Sequence, residues 1–212
     1  EQPVAEVPAV DRLTDTSMIS ACFMLDRTRW RAAAHSEPFD ESFFMYYEDH
    51  DLGYRSRAMG LAIACVPWAR CLHDEGTVGI SLRQLGSYSA VRLRGLIQNR
   101  WQLLLKNYEL RTLAVLSPML LVYELLQLAA VIKKGWLRHW VVALFGVGRN
   151  ARSLRRERRR LTRARVVRDR DLLRGGPLPY TTRLATSPAE RRAERWVNAF
   201  ATWYWRLAQR LV

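Results

Sequence analysis

Three carboxylates, Glu48, Asp49 and Asp51, fall within four positions, directly after the aromatic run Phe43-Phe44-Met45-Tyr46-Tyr47. Leu52, Ser56 and Met59 then recur at helical spacing and Gly60 is a good stop, so the acids belong to the first turn of a short helix. The partial positive charge of a helix N-terminus favours ionised carboxylates, and a base held there stays deprotonated at neutral pH, ready to take a proton from a hydroxyl. Acids in a first turn also serve simply to complement the helix dipole, and spacing alone does not separate the two uses.

Two apolar runs flank this helix in sequence. Met18–Leu25 reads as a buried strand, Asp26 as the N-cap of a short helix running to Ala34, and Leu61–Val66 as a second strand closed by Pro67. The expectation is two neighbouring strands with the acidic helix packed at their end, hence an α/β class for the N-terminal third. Cys22 and Cys65 sit in the strand-like runs, where buried reduced thiols are expected. With Cys71 the cysteine count is odd and holds no Cys-x-x-Cys pair, against both a zinc ribbon and a disulfide framework.

The order of these pieces resembles the C-terminal half of the catalytic domain of family-2 glycosyltransferases, in particular the rhamnosyl- and galactofuranosyl-transferase-like branch. The matching parts are Ser20–Leu25, Asp26–Ala34, Phe39-Asp40-Glu41-Ser42-Phe43-Phe44, Tyr47–Arg55, Leu61–Pro67 and His73. His35-Ser36-Glu37-Pro38 departs from the pattern, since relatives carry a tight Gly turn there. The resemblance implies an incomplete GT-A-like sheet and an inverting transfer of a sugar, rhamnose-like or similar, from a nucleotide-diphosphate donor to a saccharide or lipid-linked acceptor in cell-envelope polysaccharide synthesis. It makes Asp49 the base, Glu48 a residue that orients the base or the acceptor, and Asp51, Tyr46, Tyr47 and Arg55 acceptor contacts, with Arg55 paired to Asp51. It implies a divalent metal, Mn²⁺ or Mg²⁺, held by His73 together with an upstream Asp-x-Asp. Asp49-His50-Asp51 and Asp169-Arg170-Asp171 fit the letters of that motif only, so the chain reads as a fragment lacking its donor-binding half. His35, His50 and His139 carry no comparable signal.

An apolar fraction of 49% in 212 residues excludes wholesale disorder, and the net charge of +14 is unevenly spread. Residues 149–174 hold twelve arginines against Glu157, Asp169 and Asp171, a net +9. From Ser87 onward the pattern is helical, with Leu96, Leu103, Leu104 and Tyr108 on one stripe and Arg100 and Lys106 expected outside. Thr112–Ile132 is long enough to span a bilayer, but Pro118 and Glu124 interrupt it. With Trp136, Trp140 and Phe145 it reads best as a helical hairpin in the membrane interface, a true span or a soluble helical core being the alternatives. Gly146-Val147-Gly148 matches part of a dinucleotide fingerprint but follows a helix, so a helix stop is the simpler reading. Ser187-Pro188-Ala189-Glu190 is a capping box that starts a helix carrying Trp196, Phe200, Trp203 and Tyr204 beside arginines.

The expected organisation is therefore the catalytic half over residues 1–86, a helical region with apolar hairpin and Arg-rich helix over 87–174, a linker over 175–187 and an amphipathic helix over 188–212. The expected partners are a nucleotide-sugar donor, a saccharide or lipid-linked acceptor and an anionic membrane surface at the cytoplasmic face of a bacterial inner membrane. The arginine run also suits a non-catalytic basic protein that binds a membrane surface or nucleic acid. No nucleic-acid-binding signature accompanies it, so a nucleic-acid partner is not expected.

Overall fold

The computed structural model describes residues 13–16, 22–43, 45–69, 90–174 and 188–212. In chain order the elements are β1 (Thr14–Asp15), α1 (Arg27–Ala34), α2 (Glu48–Ala58), β2 (Ala64–Cys65), α3 (Ala90–Asn107), α4 (Leu110–Lys133), α5 (Leu137–Arg149), α6 (Ala151–Ala164), α7 (Asp169–Leu172) and α8 (Pro188–Ala208). They form two compact units, one of residues 1–107 with 135–167 and the other of 108–134 with 168–212. The expected hairpin partners α4 and α5 thus belong to different units.

The protein is mostly helical, with a two-stranded antiparallel sheet that pairs Thr14 with Cys65 and Asp15 with Ala64. The helix-rich region is as expected, and the strand arrangement expected for the N-terminal third is corrected. Residues 22–25 form no strand, Met18–Ala21 lie outside the described residues, and the partner of the Leu61–Val66 run is Thr14–Asp15. No GT-A sheet is present among the described residues. The physical reason is visible in the exposure of both strands: an apolar run becomes a buried strand only where neighbouring strands and helices cover it, and here neither face is covered. Cys22 and Cys65 are consequently exposed, not buried.

In the first unit α3 is the central helix, packed against α2, α5 and α6. Ile97, Leu103 and Leu104 of α3 are buried, as are Trp30 of α1, Phe43, Leu52 of α2 and Leu154 and Leu161 of α6 in the same unit. Asp26 caps α1 as expected, accepting from Arg29 N at 3.0 Å, and His35 ends it in the left-handed region at φ 50°, the position where a Gly is usual. Gly60 ends α2 at φ 77°. Gly146 and Gly148 lie inside the last turns of α5 and are not a stop. A Cβ on Gly146 would come within 2.3 Å of Gln98 Oε1, so the missing side chain is what lets α5 lie close on α3.

α3 departs most from expectation in its polar residues. Asn99, Gln102, Lys106 and Asn107 are all buried, as is Arg100. The Lys106 ammonium, 2% exposed, lies 2.7 Å from Asp40 Oδ2 and 2.7 Å from Asp51 Oδ1, with its Nζ 4.5 Å from the centre of the Phe43 ring. Asp51 is 1% exposed. Its Oδ1 also accepts from Asn107 Nδ2 and its Oδ2 from Arg55 Nε, both at 2.7 Å, and Arg55 in turn lies over the Trp30 ring and donates to the Pro38 carbonyl. Burial alone would raise the Asp40 pKa, but the Lys106 charge and hydrogen bond together with the hydrogen bonds from Ser42 outweigh it, so the Asp40 carboxyl stays below its ordinary range. Lys106 was expected on the solvent side. It is inside because two carboxylates compensate its desolvation.

At the other end of α2 the Ala58 carbonyl accepts from both Val166 N and Val167 N, at 2.9 and 3.0 Å, and Arg165 donates to the last α3 carbonyl, that of Asn107. α2 is therefore held at both ends.

The second unit contains α4, α7 and α8. Pro118 removes the N–H that would bond to the Ala114 carbonyl, and Ser117 Oγ donates to that carbonyl instead, at 2.8 Å. Tyr204 Oη of α8 donates to the adjacent Val115 carbonyl. Asp169 Oδ2 accepts from Glu109 N at 2.7 Å and Glu109 Oε2 from Asp169 N at 3.2 Å, a reciprocal cap at the start of α4. Among the described residues α4 is the one helix long and apolar enough to cross a membrane, and 6% of its apolar window is buried. Trp196, Phe200 and Trp203 of α8 are likewise exposed.

Replacing Lys106 by Met keeps the aliphatic stem and leaves Asp40 and Asp51 facing each other without their shared cation. Denaturant unfolding of Lys106→Met should show a loss of about 3–5 kcal/mol, the usual consequence of orphaning a buried charge. A loss below about 1 kcal/mol would contradict a buried bridging role.

Candidate functional site

The acidic cluster lies at the start of α2, as its spacing indicates. Two successive residues before it, Tyr46 and Tyr47, sit in the left-handed region at φ 72° and 69°. For residues with a Cβ this costs roughly 1–2 kcal/mol each, so something must hold the turn. Asn99 of α3 does so: its Nδ2 donates to the Met45 carbonyl at 2.7 Å and to the Tyr46 carbonyl at 2.9 Å. Asn99 is fixed by Gln102 Nε2 at 3.2 Å, and Gln102 Oε1 accepts from Asn150 at 3.2 Å. Gly95 leaves room for the Tyr46 ring, to which a Cβ would approach within 3.2 Å. A relay of amides thus ties the strained turn to the centre of the unit.

The turn fixes different environments for the three acids. Asp51 points inward and is saturated by Lys106, Asn107 and Arg55; the expected Asp51–Arg55 pair is present at 2.7 Å. Both residues are buried, so the structure places them beneath the surface, although the resemblance made them acceptor contacts. Asp49 is half-exposed, with 39% of its side chain accessible. Its Oδ1 accepts from the His50 backbone N–H at 2.7 Å and lies 3.0 Å from His50 Nδ1, while its Oδ2 engages no described residue. Glu48 is partly buried, and its Oε2 is shielded from solvent with no hydrogen-bond partner among the described residues. An orphaned carboxylate oxygen is unusual in a folded protein and calls for a partner hydroxyl, amide or cation. Tyr47 lies against His50, ring centres 5.6 Å apart, and Tyr46 and Tyr47 are both part-exposed at this end of α2.

His50 carried no signal in the sequence because no spacing template joins a histidine to the acid one residue before it. Its hydrogen bond to Asp49 raises the His50 pKa above 6.5, opposed by partial burial and assisted by the Asp49 and Glu48 charges. The same bond is the main cause that lowers Asp49 below 3.8. Asp49 is therefore ionised at neutral pH and oriented by an adjacent imidazole.

His73, the expected metal ligand, lies outside the described residues, as do Phe44 and Cys71. Among the described residues no group of three or more His, Cys, Asp or Glu side chains is placed to hold a metal.

Two concave regions of this unit lie elsewhere. One, of about 350 Å³, runs between the Ser36–Ser42 loop and α6 and includes Asp40, Glu41 and Glu157. The other, of about 820 Å³, lies between the end of α1 and the arginines of α6. Neither includes Glu48 or Asp49. The acids thus lie outside both grooves.

Comparison of the chain with protein-family models, with curated proteins and with solved structures gave no match.

The raised His50 pKa means that its share of the pair's stabilisation is complete below pH 6.5 and is lost as pH rises through the raised value. The lowered Asp49 pKa means that its share is complete above pH 3.8 and is lost as pH falls through the lowered value, so the ion pair is intact between these limits. In an NMR titration, Asp49→Asn should move the His50 titration down toward its ordinary value. An unmoved His50 would show that the pair does not form in solution.

Proposed function

We propose that this chain is the acceptor-activating part of an inverting glycosyltransferase, with Asp49 as general base. The observation that supports it most is the pairing of a half-exposed, ionised Asp49 with the shielded, unpartnered Oε2 of Glu48 one residue earlier. Asp49 can take a proton, and in this reading the Glu48 carboxylate turns outward when the acceptor binds, giving its Oε2 the hydrogen bond it lacks here. The order of motif pieces around Phe39–Arg55 supports the same class.

In this reading Asp49 Oδ2 removes the proton of an acceptor hydroxyl as its oxygen attacks the anomeric carbon of the donor. The bond from that carbon to the diphosphate breaks on the opposite face, the electron pair leaves with the diphosphate, and the configuration inverts. His50 holds Asp49 ionised and in one rotamer; Glu48 orients the acceptor; Tyr46 and Tyr47 offer ring faces to it. Asp51 and Arg55 act as positioning residues that fix the helix carrying Asp49. A divalent cation belongs to the same reading through the resemblance, with His73 as the ligand this chain supplies. The substrate classes are a nucleotide-sugar donor and a saccharide or lipid-linked acceptor. The exposed apolar side chains of α4 and the exposed tryptophans of α8 support work at a membrane surface; the cytoplasmic face of a bacterial inner membrane comes from the resemblance alone.

In the complete enzyme that this reading entails, Asp49→Asn should lower turnover by roughly 10²–10⁴-fold, the usual worth of a positioned base. Donor affinity should change little, since Asp49 touches the acceptor. Near-normal turnover in Asp49→Asn with loss in Glu48→Gln would reverse the two roles, and full activity in both would refute the sugar-transfer reading.

A further inference from the structure

α6 presents Arg152, Arg155, Arg156, Arg159, Arg160 and Arg163 to one groove, whose opposite wall is Ala33, Ala34 and His35 at the end of α1. Arg156 and Arg160 share Glu157, at 3.5 and 3.0 Å. Arg152, Arg155, Arg159 and Arg163 have no carboxylate within salt-bridge distance among the described residues, and all six are exposed.

A solvated charge run is the ordinary explanation of such a helix, and three observations argue against it here. The surface is concave, about 820 Å³, and small side chains at Ala33, Ala34 and Ala164 keep it open. The like charges are concentrated: Arg152–Arg156, Arg155–Arg159, Arg156–Arg160 and Arg159–Arg163 are all four residues apart, and each such pair weakens a helix by roughly 0.2–0.5 kcal/mol. Opposing negative charge is small. Among the described residues no carboxylate lines this groove: Glu157, paired with Arg156 and Arg160, belongs with Glu37, Asp40 and Glu41 to the adjoining groove, and roughly half a charge stands at the α1 C-terminus. Buried Leu154 and Leu161 keep the helix in place despite this repulsion.

We infer that this groove binds a compact ligand carrying two or more phosphoryl groups. Guanidinium is the side chain best matched to phosphate, because its planar donors bind two oxygens at once. The stripe from Arg152 to Arg163 extends about 16 Å along the helix, longer than a single phosphate, so neighbouring phosphoryl groups can engage successive turns. Concavity selects a discrete anion over a flat bilayer surface. The inference does not rest on sugar transfer: it concerns a groove that contains neither Glu48 nor Asp49.

The test is calorimetric titration of the chain in neutral detergent with inorganic pyrophosphate at moderate salt. Vesicles containing phosphatidylglycerol and a short DNA duplex serve as separate arms. The expected result is saturable binding at one site and a raised unfolding temperature with pyrophosphate. Arg155→Gln/Arg159→Gln should weaken binding at least about tenfold, since hydrogen bonds to charged groups are the stronger kind. Arg206→Gln/Arg210→Gln removes the same charge from α8 and its end and should leave affinity within about twofold. Equal weakening in the two double variants would reduce the effect to net charge and overturn the site. So would absence of saturable pyrophosphate binding, or a groove-dependent loss seen only with vesicles or only with DNA.

Discussion

A single ammonium group organises the N-terminal unit. Lys106, near the end of α3, lies 2.7 Å from both Asp40 and Asp51, and Asp51 is held in addition by Arg55 and Asn107. Two carboxylates and two cations leave this buried cluster neutral, which is what makes charges at 1–2% exposure tolerable. Asp40 belongs to the loop before α2, Asp51 and Arg55 to α2, and Lys106 to α3. The cluster therefore fixes the position of α2, and with it the acidic turn, against the central helix. Residues so connected are expected to couple, so their contributions will not add.

The same geometry divides labour among acids that look alike in sequence. Successive residues of a helix are about 100° apart, so Asp51 projects about 200° from Asp49 and only about 60° from Glu48. Turning Asp51 into the cluster necessarily turns Asp49 outward, toward solvent and His50, and leaves Glu48 between the two environments. The strained turn at Tyr46 and Tyr47 sets the starting angle, and Asn99 maintains it. Backbone strain at such a site is consistent with a position held for use, since the surrounding structure must over-determine it.

Local features were the most legible in the sequence. The Asp26 cap, the span of α2, the Gly60 stop and the apolar length of α4 all followed from short-range rules, while the Asp51–Arg55 pair came from the resemblance. The two strand-like runs did not become a buried sheet, because sheet formation depends on neighbours that periodicity in one segment cannot supply. Lys106 was misplaced for a different reason. A long cation beside an apolar stripe is ordinarily solvated, yet Asn99, Gln102 and Lys106 recur at helical spacing with Leu103, and that polar stripe was a readable sign of a polar interior. His50 had no such sign. Its role arises from a rotamer that brings Nδ1 to Asp49, which only coordinates reveal.

The central claim is that Asp51 holds the site together while Asp49 is left available for chemistry. It is tested most directly by comparing denaturant unfolding of Asp51→Asn and Asp49→Asn in otherwise identical chains. The account predicts a loss of about 3–5 kcal/mol for Asp51→Asn, which strands Lys106 and Arg55, and a change within about 0.5 kcal/mol for Asp49→Asn. Equal effects, or a larger loss for Asp49→Asn, would contradict it.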